Sequence, residues 1–145
     1  MKMSIFSIFA SMMTFVAVNV YAIDIDKITC ITDKAEYNQG EIVQIKIENN
    51  SNEDINIVDR KYLDGGFVTI EKKSDNGTWK VIELYVVANI MTFKTLKKGE
   101  SFTYTWNTKG YNKSDTIVNP GVYRIKFNNG LITNQFSIIA KVILQ

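Results

Sequence analysis

The side chains able to do chemistry are few and scattered along this chain. Asp24 and Asp26 alternate, so an extended backbone would set two carboxylates on one face. A hard cation there would need further oxygen ligands, for example from Glu53, Asp64 or Asp75, and no calcium-loop spacing links them. Glu53-Asp54 and Glu83 are the acids a glycosidic pair would draw on, but nothing in their spacing makes them converge. Asp64-Gly65-Gly66 lacks the glycine spacing and the following helix of a phosphate cradle, and it reads as a turn. The chain contains 0 histidines. That removes histidine-activated nucleophiles, histidine-containing zinc sites and imidazole acid–base chemistry together. The expectation is a protein with no catalytic residues, no metal and no cofactor.

Aromatic side chains are the remaining candidates. Alternation assigns Tyr104, Trp106 and Tyr123 to a core, and Trp79 is expected to join Trp106 between sheets. Tyr62, Tyr85, Phe93 and Tyr111 fall in or near predicted loops instead. Exposed loop aromatics are common anchors at interfaces, so these four are the candidate partner contacts. Cys30 is the sole cysteine, so no internal disulfide can form. Ile28 and Cys30 share a face of an extended K-I-T-C-I-T, which suits a small buried apolar residue.

The elements that must carry these residues are nearly all strands. Phe102, Tyr104 and Trp106, then Tyr123, Ile125 and Phe127, give two amphipathic strands joined by a long polar connection over Asn107–Val118. Val43, Ile45 and Ile47 alternate with Gln44, Lys46 and Glu48 on a half-buried strand. Further strands are predicted over Lys27–Asp33, from Ile55 to Ile57, over Phe67–Lys73 and Thr78–Leu84, and over Leu131–Val142. Asp75-Asn76-Gly77 and Asn128-Asn129-Gly130 supply hairpin turns, and Pro120-Gly121 suits a type II turn. The apolar run L-Y-V-V-A-N-I-M-T-F, Leu84–Phe93, is too continuous for a one-sided strand. It reads as a loop or irregular strand and, if exposed, as the best contact surface.

Lys2 followed by the apolar run Ile5–Val20 and ending at Ala22 has the layout of a secretory signal peptide. Residues 1–22 are then the signal and residues 23–145 one domain, exported to the periplasm or beyond the cell. Cys30 lies too far past the apolar run to be a lipid acceptor. No later stretch is long and apolar enough to span a membrane. The formal charge is +2 with dispersed lysines, so no nucleic-acid footprint is present.

Seven to nine short strands with one long crossover predict an all-β, Greek-key sandwich without a disulfide. At this level A-E-Y-N-Q-G-E-I-V-Q-I-K-I-E-N-N-S, W-K-V-I, T-L-K-K-G-E-S-F-T-Y-T-W, N-P-G-V-Y-R-I-K-F and Q-F-S-I resemble small bacterial immunoglobulin-like domains of secreted and surface proteins. More distantly, they are similar to bacillus-type intracellular proteinase inhibitors. The resemblance spans about Thr32 to Ala140 and implies an immunoglobulin-like fold in which Tyr123 stands as a corner tyrosine. It also implies binding without chemistry, the partner being an unknown protein or envelope component, with a homo-oligomer left open. The alternative is an exported inhibitor or immunity protein that blocks a toxin or proteinase, with Leu84–Phe93 as its plug.

Overall fold

The computed structural model describes residues 24–86, 90–109 and 117–141. The predicted signal segment and Tyr111 lie outside them. Among the described residues the only helical element is a single 3-10 turn, Ile25–Lys27, which carries Asp26. Asp24 therefore caps a turn, and the extended two-carboxylate face does not form.

Ten strands follow in chain order: β1 (Ile28–Thr32), β2 (Glu36–Asn38), β3 (Ile42–Asn49), β4 (Ile55–Val58), β5 (Val68–Lys73), β6 (Trp79–Ile82), β7 (Phe93–Leu96), β8 (Ser101–Asn107), β9 (Gly121–Phe127) and β10 (Phe136–Ile139). They form a three-stranded sheet, β1-β3-β8, a five-stranded sheet, β2-β10-β9-β5-β6, and a ribbon, β4-β7. The fold is an all-β sandwich. The connection from β8 to β9 crosses between the two larger sheets, as the polar stretch after Asn107 predicts.

The alternation read from the sequence fixes which faces meet. Val43, Ile45 and Ile47 on β3 and Tyr104 and Trp106 on β8 are buried, and so are Tyr123, Ile125 and Phe127 on β9. Rings from the two sheets interlock. Tyr104 lies 5.2 Å from Phe127 between centroids, Trp106 lies 5.9 Å from Tyr123, and Trp106 meets Phe136 edge-on at 6.4 Å. Such aromatic pairs contribute about 0.5–1.5 kcal/mol each beyond the area they bury. Cys30 is buried at the edge of this core and is a free thiol.

Tyr123 closes a corner. Its hydroxyl donates to the carbonyl of Asn119, four residues upstream, and so ties the end of the crossover to the strand it feeds. Asn49, fully buried at the end of β3, performs a similar task for the ribbon. Its Nδ2 donates to the carbonyls of Glu53 (2.7 Å) and Leu96 (2.9 Å), and its Oδ1 accepts from the Ser51 N–H and hydroxyl. Every polar group of that amide side chain is therefore satisfied, as burial requires.

Two sequence expectations fail in detail, and one strand is an addition. Glu36–Asn38 forms a short strand parallel to β10, where Tyr37 buries its ring against Phe136. Trp79 does share a face with Val81, but that face is the solvent side of the five-stranded sheet. There its ring lies 4.2 Å from the Arg124 guanidinium, outside the core. Gly121 opens β9 with φ 156, far from the roughly +80° a type II turn requires at that position. That φ is one that residues with a side chain rarely adopt, and it explains the glycine; the Lys72 Cε that an added Cβ would meet at 2.4 Å is only the far end of a flexible side chain.

Candidate functional site

The ribbon carries the site. Ile55, Ile57 and Leu96 anchor it to the core, while Phe93, Lys94 and Thr95 stand in solvent. It is held at several points. Asn49 grips Leu96, the Tyr104 hydroxyl donates to the Val58 carbonyl (2.8 Å), and the Asp59 N–H donates to the Thr92 carbonyl (2.8 Å). After β4 the chain runs beside β8. The Thr105 N–H donates to the Lys61 carbonyl and the Leu63 N–H to the Thr105 carbonyl, placing Tyr62 in a parallel bridge to Thr105.

The turn that follows is a platform for the apolar segment. Asp64 is buried and its carboxylate accepts from the Arg60 guanidinium and from the Gly66 N–H (2.7 Å). The Gly65 N–H then donates to the Tyr85 carbonyl at 3.0 Å. A Cβ on Gly65 would come within 2.9 Å of the Leu84 carbonyl oxygen. One on Gly66 would meet the Asp64 carboxylate at 2.8 Å and the Met91 methyl at 3.2 Å. The two glycines let the apolar segment lie directly on the turn. This explains Asp64-Gly65-Gly66 without any phosphate.

Leu84 is buried, which seats the start of the apolar run. Tyr85 and Val86, and Ile90 to Thr92, are irregular, and Phe93 begins β7. The loop reading therefore holds for the described part of Leu84–Phe93 up to Thr92, and the strand at Phe93–Leu96 is an addition. Ile90 is 91% exposed, Phe93 65%, Val86 63%, Tyr85 42% and Met91 39%. Next to them a cleft of about 240 Å³ opens between β4 and the β9 turn. Met91, Phe93, Phe67, Phe127 and Tyr104 line it, with Asn56 and Asn128 at its rim.

Of the four aromatics singled out from the sequence, Phe93 lines the cleft and Tyr85 lies on the segment beside it. Tyr62, 51% exposed, stands on the strand-like stretch leading to the Asp64 turn. Tyr111 falls outside the described residues. Val86, Ile90 and Met91 join them as exposed apolar groups, and the uninterrupted apolar run is the sequence signal that marks them.

Among the described residues, the clear shifts of cysteine and tyrosine are upward. Burial pushes the Cys30 thiol up to about 12 and the Tyr123 phenol up to about 12, so both stay protonated at neutral pH. Tyr37 also rises to about 12, first through burial and then through the hydrogen bond it donates to Asp33 Oδ1 (2.5 Å). Glu71 on the outer sheet face is taken up by Arg124 (2.6 Å) and Lys126 (3.7 Å). Among the described residues no group of three or more acids or cysteines is close enough to hold a metal ion.

No family model matches the chain, and no curated protein does. Solved structures that match the chain include the alkylpurine DNA glycosylase AlkC of Pseudomonas fluorescens bound to DNA containing an abasic-site analogue. It matches at 14% identity and TM-score 0.40, over 79% of this chain and 31% of that one. A β-glucosidase from Erythrobacter marinus matches at 13% identity and TM-score 0.42, over 77% and 15%. A β-glucosidase from Listeria innocua in complex with glucose matches at 15% identity and TM-score 0.38, over 81% and 16%. The chain spans about a third or less of the length of each, and likenesses this distant carry nothing about what it does.

Proposed function

We propose that this chain is an exported immunoglobulin-like domain that acts by binding a protein or cell-envelope partner, without chemistry of its own. The observation that carries the reading is the exposed apolar group Tyr85, Val86, Ile90, Met91 and Phe93 beside an apolar cleft. Fully burying one such large side chain is worth about 1.5–3 kcal/mol. Leaving several in water is a standing cost that a partner's surface would relieve. The layout of residues 1–22 as a signal peptide supports export, and the strand plan with its corner tyrosine supports the immunoglobulin-like assignment.

The same exposed segment also suits an exported inhibitor or immunity protein, where Ile90 and Phe93 would enter a toxin or proteinase site as a plug. One experiment serves both readings. A photo-crosslinking residue is placed at position 93, and in a control at Lys46 on the solvated side of β3, and the full chain is expressed in its native cell. One dominant, saturable adduct from position 93 and none from position 46 is expected. An activity assay on the captured partner then separates accessory binding from inhibition. Equal, diffuse labelling from both positions would count against a dedicated surface.

A further inference from the structure

We propose that the free edge of β4 accepts an extended, uncharged segment of a protein partner as an added strand, whose apolar side chains fill the cleft beside it. This deepens the binding reading above and rests on it. The register of the ribbon fixes the edge. Ile55 faces Leu96 and Val58 faces Phe93, and the Asp59 N–H donates to the Thr92 carbonyl in the same register. In an antiparallel ladder the bonded pairs recur every second residue, so Ile57 and Ile55 also point their backbone groups at β7. Asn56 and Val58 then point theirs the other way. The Val58 carbonyl is already used by the Tyr104 hydroxyl. Among the described residues nothing outside the ribbon bonds the Asn56 main chain.

The open edge looks into the cleft, which Asn56, Ile57 and Val58 all line. A second, smaller hollow of about 90 Å³ continues along β4 past Ile55 to Ile25 and Leu131, and Asn56 and Asn129 border both. Two apolar hollows along one unpaired strand edge are what strand addition needs, main-chain bonds for affinity and side-chain pockets for choice. Each hollow is smaller than the roughly 300–1,000 Å³ of a small-molecule site and suits individual side chains.

Charge selects the occupant. No carboxylate, lysine or arginine lines either hollow. The nearby cations are engaged elsewhere, Arg60 with Asp64 and Lys94 over the Phe102 ring at 5.6 Å. An ionised side chain entering the cleft would lose its water and gain no counter-ion. The segment that fits is therefore neutral, extended and alternately apolar.

The test uses the full chain and a capped octapeptide of alternating threonine and leucine, followed by amide NMR titration. Saturable shifts centred on Asn56, Val58 and Asn129 are expected. Replacing one leucine by aspartate weakens binding by about tenfold or more, the loss of at least one well-buried contact. Asn56→Pro removes the edge N–H without taking a ladder bond, and weakens binding by about five- to tenfold at unchanged thermal midpoint. Asn129→Trp, which fills the waist between the hollows, gives a second route to the same loss should the proline variant unfold. Shifts confined to Ile90–Phe93 and indifferent to both variants would overturn strand addition while leaving the apolar surface as the binding site. Absence of saturable peptide binding, or concentration-dependent self-association that buries Asn56, would also overturn it, the latter by naming a second copy as occupant.

Discussion

The seam between the two larger sheets and the β4–β7 ribbon are built from the same residue types and end in opposite states. In the seam Tyr104, Trp106, Tyr123, Phe127 and Phe136 are closed off from water. The hydroxyls of Tyr104 and Tyr123 end on backbone carbonyls. On the ribbon side Phe93 and Met91 line an open cleft, Ile90 and Val86 are exposed as well, and β4 leaves a backbone edge unpaired among the described residues. An aromatic residue in the seam serves stability, whereas on the reading proposed above one on the ribbon serves an encounter. Substitutions ought to separate the two regions cleanly.

Trp106→Ala gives the largest expected effect. It empties the middle of the seam and costs about 3–5 kcal/mol, read as the shift of a urea midpoint at constant slope. A loss below about 1 kcal/mol would deny the seam its role. The alkaline limb comes next. The ordinary values of 9.0 for Cys30 and 10.0 for Tyr37 and Tyr123 all rise to about 12 in the fold. The unfolded chain thus releases these protons first, and stability is intact below about pH 9. It falls as pH rises toward 12, an effect visible in thermal midpoints taken across that window. Asn49→Ala leaves the Leu96 and Glu53 carbonyls without their buried donor and costs about 1–3 kcal/mol. Because Asn49 ties the ribbon down, hydrogen exchange in β4 and β7 rises more than in β9. Phe93→Ala is the smallest, within about 0.5 kcal/mol of the parent by the same urea measurement, as expected of an exposed side chain.

The same contrast explains how much the sequence disclosed. Phe102-Tyr104-Trp106 and Tyr123-Ile125-Phe127 alternate with polar residues, so a strand and its inner face could both be read from spacing alone. Tyr123 was legible as a corner through the resemblance to immunoglobulin-like domains, from its place just after Pro120-Gly121, and its hydroxyl does bond Asn119 upstream. Across T-W-K-V-I-E-L both faces carry an apolar pair, Trp79 and Val81 on one and Ile82 and Leu84 on the other. Spacing there tells which residues travel together but not which side is wet, and Trp79 went outward onto Arg124. β2 has three residues and a parallel partner far along the chain, and neither leaves a periodic mark. β7, F-K-T-L, exposes three of its four residues, so no burial pattern announces it. The contact segment was visible only as a run too apolar for its setting. Its seat on Gly65 and Gly66, and the cleft beside it, depend on contacts between distant stretches that no local pattern encodes.

On the reading proposed above, the exposed segment and cleft exist to be covered by a partner. The most direct measurement compares the crosslinked partner yield of the parent chain with that of Phe93→Asp, carrying the crosslinker at Met91 in both, alongside the thermal midpoint of each. Adduct is expected to fall by tenfold or more while the midpoint is unchanged, because a carboxylate there blocks an apolar partner and leaves the core untouched. An undiminished adduct in a folded Phe93→Asp chain would contradict it.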